Sequence, residues 1–306
     1  MPVTVVGSIA FDSVRTPFGE RERMLGGAAV HFALAASFFD EVHVVGPVGD
    51  DFGEAELDVL RRRNIDTSGI ERVADGKTFF WRAEYGWDLN NRETLETALG
   101  VFERFEPTLS AKARASDVVF LANIQPDLQR RVRAQCLDTR FAALDTMNLW
   151  IDTARPSLVK AINEVDCVII NDAELRQLAD RPSLVGAARE VLSWSTTPGR
   201  AVVAKLGEYG AALITRDGYF SIPAFPLETV VDPTGAGDSF AGGFIGYVAA
   251  QRHKHLTPTL LRRAMAYGTA IASFNVEEFG TDRVARLRMD EVDERVTDLR
   301  RMTAFA

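Results

Sequence analysis

The chain has 306 residues, enough for one large α/β core or two modest domains. Lys and Arg total 35 against 43 for Asp and Glu, and a formal charge of −8 gives no general attraction to nucleic acid or to anionic membranes. The start MPVTVVGSIAFD lacks a basic leader followed by an apolar stretch, and no apolar run is long enough to cross a bilayer, so a cytoplasmic protein is expected. Cys136 and Cys167 lie far apart without metal-ligand spacing and read as reduced, buried thiols.

In chain order, β-branched runs predict strands at Val3–Ala10, Val42–Gly46, Val118–Ala122, Phe141–Asp145, Cys167–Ile170 and Ala201–Leu206. Helical patterns fall between them, at Ala28–Phe39, Phe52–Arg63, Leu128–Leu137 and Leu184–Trp194. Two late helices, Ala236–Ala250 and Leu260–Asn275, are rich in Ala and Gly and should pack closely. Strands alternating with helices predict a doubly wound, mostly parallel α/β sheet covered on both faces. Two segments break the rhythm. Phe11–Met24 is polar where a crossover helix would be expected, and Thr78–Tyr85 alternates with Phe79, Trp81, Ala83 and Tyr85 on one face. A small β-lid from residues 11–24 and 72–90, hinged to a single domain spanning 1–306, explains both.

The most informative stretch is Val230–Phe244, VVDPTGAGDSFAGGF. Pro233 cannot continue a ladder, and small residues leave the N–H groups of Gly235, Ala236 and Gly237 accessible at the start of a helix, where they can stabilise an anion. Asp238, on the first helical turn beside that anion site, can accept the proton of an attacking hydroxyl, as phosphoryl transfer requires. The bland alternative is an acidic residue that merely favours the helix N-terminus.

The stretch DPTGAGDSFAGGF resembles the C-terminal signature of the PfkB carbohydrate kinases, which include ribokinase, fructokinases, ketodeoxygluconate kinases and adenosine kinase. The resemblance implies a ribokinase-like fold and transfer of the γ-phosphate of ATP to a hydroxyl. It also implies Asp238 as general base and Gly235–Gly237 as anion hole, with Thr234 among the nucleotide contacts. The acceptor is expected to be a sugar or sugar derivative, with a nucleoside as the alternative.

Further motifs extend the resemblance. Asn171-Asp172-Ala173-Glu174 is similar to the N-x-x-E motif that organises Mg²⁺ and its waters near the phosphates, though Asn171 with Glu174 three residues on also reads as a capping box. Lys205-Leu206-Gly207-Glu208-Tyr209-Gly210 resembles a nucleotide loop, with Lys205 supplying charge and Gly207 close backbone approach; a hairpin before Ala211–Thr215 is the bland reading. Asp12 is similar to the carboxylate that binds substrate hydroxyls, and an acceptor-only group suits a vicinal diol. Gly26-Gly27 resembles the N-terminal signature, a lid hinge beside the substrate. Many relatives carry Asn four residues after the second glycine; His31 stands there, so the usual sugar is not implied, and a structural histidine is the competing reading. Asp145-Thr146-Met147-Asn148-Leu149-Trp150 departs from the family's D-x-N stretch by one residue of spacing and a missing Arg, with Asn148 as its nucleotide or metal candidate. Ala270–Thr281 resembles the segment that flanks adenine, with Asn275 as the adenine neighbour, and that closes a K⁺ loop in some relatives. Many relatives pair through their lids, which extends the implication to a homodimer, and the lid aromatics can serve such an interface or a stacked substrate.

Two other classes compete. A nicotinamide-dependent dehydrogenase is suggested by VTVVGSIAF, but the first βα turn lacks G-x-G-x-x-G. A catalytically inactive nucleotide-binding regulator on a kinase fold is the other, since fold does not fix function.

Overall fold

The β-branched runs form strands because each is buried on both faces, a position that favours stiff, branched side chains. The computed structural model describes residues 2–195, 199–252 and 256–304. In chain order the strands are β1 (Val3–Val6), β2 (Ala10–Thr16), β3 (Gly19–Gly26), β4 (Val42–Val48), β5 (Asp66–Arg72), β6 (Phe79–Tyr85) and β7 (Arg92–Ala98). They continue as β8 (Val118–Leu121), β9 (Phe141–Asp145), β10 (Cys167–Asn171), β11 (Ala201–Lys205), β12 (Ala211–Thr215) and β13 (Tyr219–Ile222).

Nine of them make one sheet in the order β13-β12-β11-β10-β9-β8-β1-β4-β5. It is parallel from β5 to β11, and β12 and β13 close its edge antiparallel. Its two faces feed separate cores. Val3, Val5, Ile169 and Val203 pack on one side with helices 28–36, 236–250 and 258–275; Val6, Val168, Ile170 and Val202 pack on the other. Close approach of the late helices depends on glycine: a Cβ on Gly242 would come within 2.3 Å of the Phe32 carbonyl oxygen. Both cysteines are buried and free, as expected.

The expected first strand, Val3–Ala10, divides in two. It breaks at Gly7–Ile9, and the chain leaves the large sheet there to enter a second, four-stranded sheet of order β3-β2-β6-β7. This sheet contains both irregular segments, but its extent differs from the 72–90 expectation. Residues 66–72 belong to the large sheet, and the small one continues to Ala98 through β7, whose residues are all exposed and carry no core periodicity to betray them. The register Asp12↔Trp81 between β2 and β6 sets Asp12, Val14 and Thr16 on one face with Trp81, Ala83 and Tyr85. The β6–β7 register places Arg92 beside Tyr85. Among the described residues no helix is long and apolar enough to cross a membrane.

Candidate active site

Lys205 ends β11, Asn171 ends β10 and Asp145 ends β9, so the carboxyl edge of the parallel strands presents three polar side chains in a row, the place where doubly wound sheets bind ligands. The Lys205 ammonium donates to Asp145 Oδ2 at 2.5 Å, and Asp145 Oδ1 accepts from the Thr146 N–H at 2.7 Å. Burial alone would depress the lysine, but Asp145, Glu174 and Asp238 outweigh it and raise its pKa. Lys205 also flanks the glycine turn: a Cβ on Gly237 would sit 3.2 Å from its Nζ.

That turn opens helix 236–250. Gly235 adopts φ 74°, the left-handed region that suits glycine, and the Ser239 N–H donates to its carbonyl at 2.8 Å. The Ala236 N–H donates to Pro233 O at 3.2 Å, so one of the three donors expected at the anion site has a partner within the turn. Asp232, beneath the turn, accepts from the N–H groups of Thr234 at 2.9 Å and Gly280 at 3.0 Å. Asp238 follows on the first helical turn. Burial pushes its carboxyl up to about 7; Asp145 adds to the rise, and the charges of Lys205 and Arg92 oppose it.

Asp12 lies on β2 of the small sheet, not at the end of the first strand where the sequence suggested. Burial, helped by Asp232 and more weakly by Asp238, raises it to about 7 against the hydrogen bond it accepts from the Gly27 N–H. Gly26 is required beside it, because a Cβ there would lie 2.0 Å from Asp12 Oδ2. Gly27, at φ 95°, caps helix 28–36. Two buried carboxylates of raised pKa therefore flank the turn, Asp12 from the small sheet and Asp238 from the helix 236–250, and the charge of Asp238 adds weakly to the rise at Asp12.

Asn171 and Glu174 form a reciprocal capping box: Asn171 Oδ1 accepts from the Glu174 N–H at 2.8 Å, and Glu174 Oε2 accepts from the Asn171 N–H at 3.3 Å. Burial raises the Glu174 pKa, opposed by Lys205. The cap occupies one oxygen of each side chain, and Glu174 Oε1 with the neighbouring Asp145 makes an all-oxygen donor set of the kind Mg²⁺ takes through its waters.

A cleft of about 460 Å³ opens beside the turn. Lys205, Gly207, Ala236 and Gly237 are among its lining, and Phe225, Leu227, Ala272 and Val276 give it an apolar wall. Asp88 and Asn90, from the loop between β6 and β7, reach over it, and Asn90 Nδ2 donates to Glu208 Oε1 at 3.3 Å. Two further bonds tie the small sheet to the turn. Thr16 Oγ1 donates to Val231 O at 2.9 Å, and Thr234 Oγ1 donates to Tyr85 Oη at 3.2 Å.

Four of the candidates read from sequence have surroundings of their own. Asn275 is fully buried; its Nδ2 donates to Thr234 O at 2.7 Å and its Oδ1 accepts from Ser239 Oγ at 2.9 Å, so it holds the turn from below, while Ala272 and Ser273 of the same helix and the capping residue Val276 line the cleft. Asn148 is exposed at the start of a short helix, and Asp145 is the member of its stretch that meets the site. The Thr234 side chain points to the small sheet and contacts Tyr85. His31 is buried, with its ring against Gly235. Sequence reasoning missed Asp145 and Arg92, and it offered Tyr85 only as a stacking lid aromatic, not as a partner of Thr234. The first stood within a stretch already singled out, and the alternation of β6 placed Tyr85 on the inner face; Arg92 had no local signal at all.

A doubly wound sheet whose carboxyl edge joins a lysine, a glycine turn and a buried aspartate beside a cleft defines a phosphate-handling α/β enzyme. The profile of the pfkB family of carbohydrate kinases matches residues 3–286, and the chain belongs to that family. It is 29% identical over 255 residues to a cytidine kinase of Thermococcus kodakarensis, covering 81% of this chain and 88% of the relative. It is 26% identical over 294 residues to a nucleoside kinase of Methanothermobacter thermautotrophicus, covering 90% and 89%. The fold is shared with the nucleoside kinase of Methanocaldococcus jannaschii at a TM-score of 0.79 and 21% identity, covering 97% of this chain and 98% of that one. The chain is thus a sugar or nucleoside kinase, a phosphotransferase with a hydroxyl acceptor.

Proposed function

We propose that the protein transfers the γ-phosphate of Mg·ATP to a hydroxyl of an acceptor bearing a vicinal diol, with Asp238 as the general base. The observation that carries the reading is the placement of Asp238. It sits on the first turn of a helix whose preceding glycine turn offers backbone N–H groups, with Lys205 alongside and a carboxyl poised near neutrality. The nucleotide base lies in the cleft between Phe225 and Val276, with its phosphates toward Lys205 and Gly237. Asn171 and Glu174, with Asp145 nearby, would hold Mg²⁺, and the ion would supply charge neutralisation at the phosphates. Arg92, on the inner face of the small sheet, adds a positive charge that acts on both Asp238 and Glu174. Asp12 accepts hydrogen bonds from the acceptor's diol, and the acceptor's reacting hydroxyl gives its proton to Asp238 Oδ as the new O–P bond forms and ADP leaves. The small sheet acts as a lid that excludes water and so limits ATP hydrolysis.

Within this class a nucleoside is the favoured acceptor, ahead of the simple sugar expected from sequence. Trp81 is the register neighbour of Asp12 on the same face of the small sheet, which puts an aromatic ring beside the diol-binding carboxylate where a base would stack. The cytidine and nucleoside kinases among its relatives point the same way.

The test is an acceptor screen with coupled detection of ADP across nucleosides, sugars and sugar acids, run with Asp238→Asn in parallel. Acceptor-dependent ADP release is expected with at least one nucleoside, falling on the order of 10²-fold in the variant. Equal turnover by the variant removes Asp238 from its role; a response to free sugars alone overturns the nucleoside assignment.

A further inference from the structure

His31 occupies the position where a substrate-reading amide was expected, yet its surroundings belong to the glycine turn. Its ring lies against Gly235: a Cβ there would be 2.3 Å from both Nδ1 and Cε1 and 2.4 Å from Cγ. Its Nδ1 is 3.1 Å from Asn275 Oδ1. The orientation of the Asn275 amide is set by its other bond, because Nδ2 donates to Thr234 O at 2.7 Å. Oδ1 is therefore the acceptor, taking hydrogen bonds from Ser239 Oγ at 2.9 Å and from His31, which fixes the proton on Nδ1. Burial lowers the histidine pKa to about 4, against the pull of Asn275, so the ring is neutral at physiological pH. Nε2 is buried and has no hydrogen-bond partner.

The result is a closed chain of contacts that spans 244 residues of sequence between His31 and Asn275 and ends on the peptide that carries the anion-binding N–H groups. The Thr234 carbonyl belongs to the same peptide unit as the Gly235 N–H. Holding that oxygen from below while a flat ring limits Gly235 from the side fixes the direction in which the N–H points. Orientation of such a donor matters more than its presence, since a displacement of about 1 Å costs on the order of 10² in rate.

We infer that His31 is a positioning residue of the phosphoryl-binding turn, acting through its Nδ1 hydrogen bond to Asn275, which holds a planar group against Gly235, and that it does not read the acceptor. The inference rests on the assignment of Gly235–Gly237 as the anion site.

Two amide replacements separate the roles of the ring nitrogens, because the Asn side-chain nitrogen reaches the position of Nδ1 and that of Gln reaches Nε2. With the acceptor found in the screen, His31→Asn is expected to keep kcat within about fivefold of the parent. His31→Gln and Asn275→Leu are expected to lose about 10²-fold in kcat, and the combined variant no more than either alone, with KM for the acceptor changed by less than about twofold throughout. Thermal melts of all variants, read by circular dichroism, identify any that fail to fold, and the comparison of Asn with Gln stands on folded protein. Retention of activity by Gln with loss in Asn, or an effect confined to KM for the acceptor, overturns the inference and makes His31 a substrate ligand. Absence of Asp238-dependent turnover in the parent defeats the anion-site assignment itself, whereas an active parent with unaffected His31 variants defeats only the positioning role.

Discussion

Asp238 and Asp12 each carry a carboxyl raised to about 7, and in both the largest cause is burial. A base must be deprotonated to accept a proton, so the sign of the pH effect follows directly. Below about pH 7 the protonated fraction of Asp238 grows and kcat falls, approaching tenfold per pH unit; above it the rate levels off. Profiles of kcat and kcat/KM from pH 5.5 to 8.5 should show this acidic limb, and a kcat that is flat from pH 5.5 upward would mean that no group of raised pKa limits the reaction. Lys205 works in the opposite sense. Its three carboxylate neighbours keep it charged despite burial, which is the state needed beside a phosphate.

At the scale of elements, the small sheet is joined to the glycine turn by two hydroxyl bonds, Thr16 to Val231 and Thr234 to Tyr85. Neither lies on the route of phosphoryl transfer, so their loss should act on closure. Tyr85→Phe combined with Thr16→Val is expected to raise ADP release without acceptor, relative to ADP release with it, by about threefold to tenfold, because a less firmly closed site admits water. The ratio of ADP formed to phosphorylated product measures this, and an unchanged ratio would deny the sheet its role as lid. The contact of Asn90 with Glu208 joins the β6–β7 loop to the lining of the cleft by a separate route.

Across the whole molecule, the proposed site lies along the carboxyl edge of β9, β10 and β11, and a ligand bound there should stabilise the fold. Mg·ADP at 100 times its Kd is expected to add about 2.7 kcal/mol to unfolding, seen as a rise in Tm. Chelation of the metal should shrink that rise if Asn171 and Glu174 hold the ion, and Glu174→Gln should shrink it similarly while leaving the capping box able to form. A Tm shift indifferent to metal in both proteins would remove these residues from metal binding.

What the sequence determined by itself is whatever depends on local pattern. Strands buried on both faces need β-branched runs, so Phe141–Asp145 and its parallel neighbours were legible, as was the helix Ala236–Ala250. The TGAGD turn was legible because its geometry needs particular residues in consecutive positions. Exposed β7 was not, since a strand with no buried face has no alternation to read. What only the tertiary structure decided is which distant groups meet. Asp145 pairs with Lys205 across 60 residues, Tyr85 with Thr234 across 149 and His31 with Asn275 across 244. Each of these residues is chemically ordinary in its own segment; hydrogen bonds and ion pairs form at about 3 Å in space, and separation along the chain leaves no local trace of them.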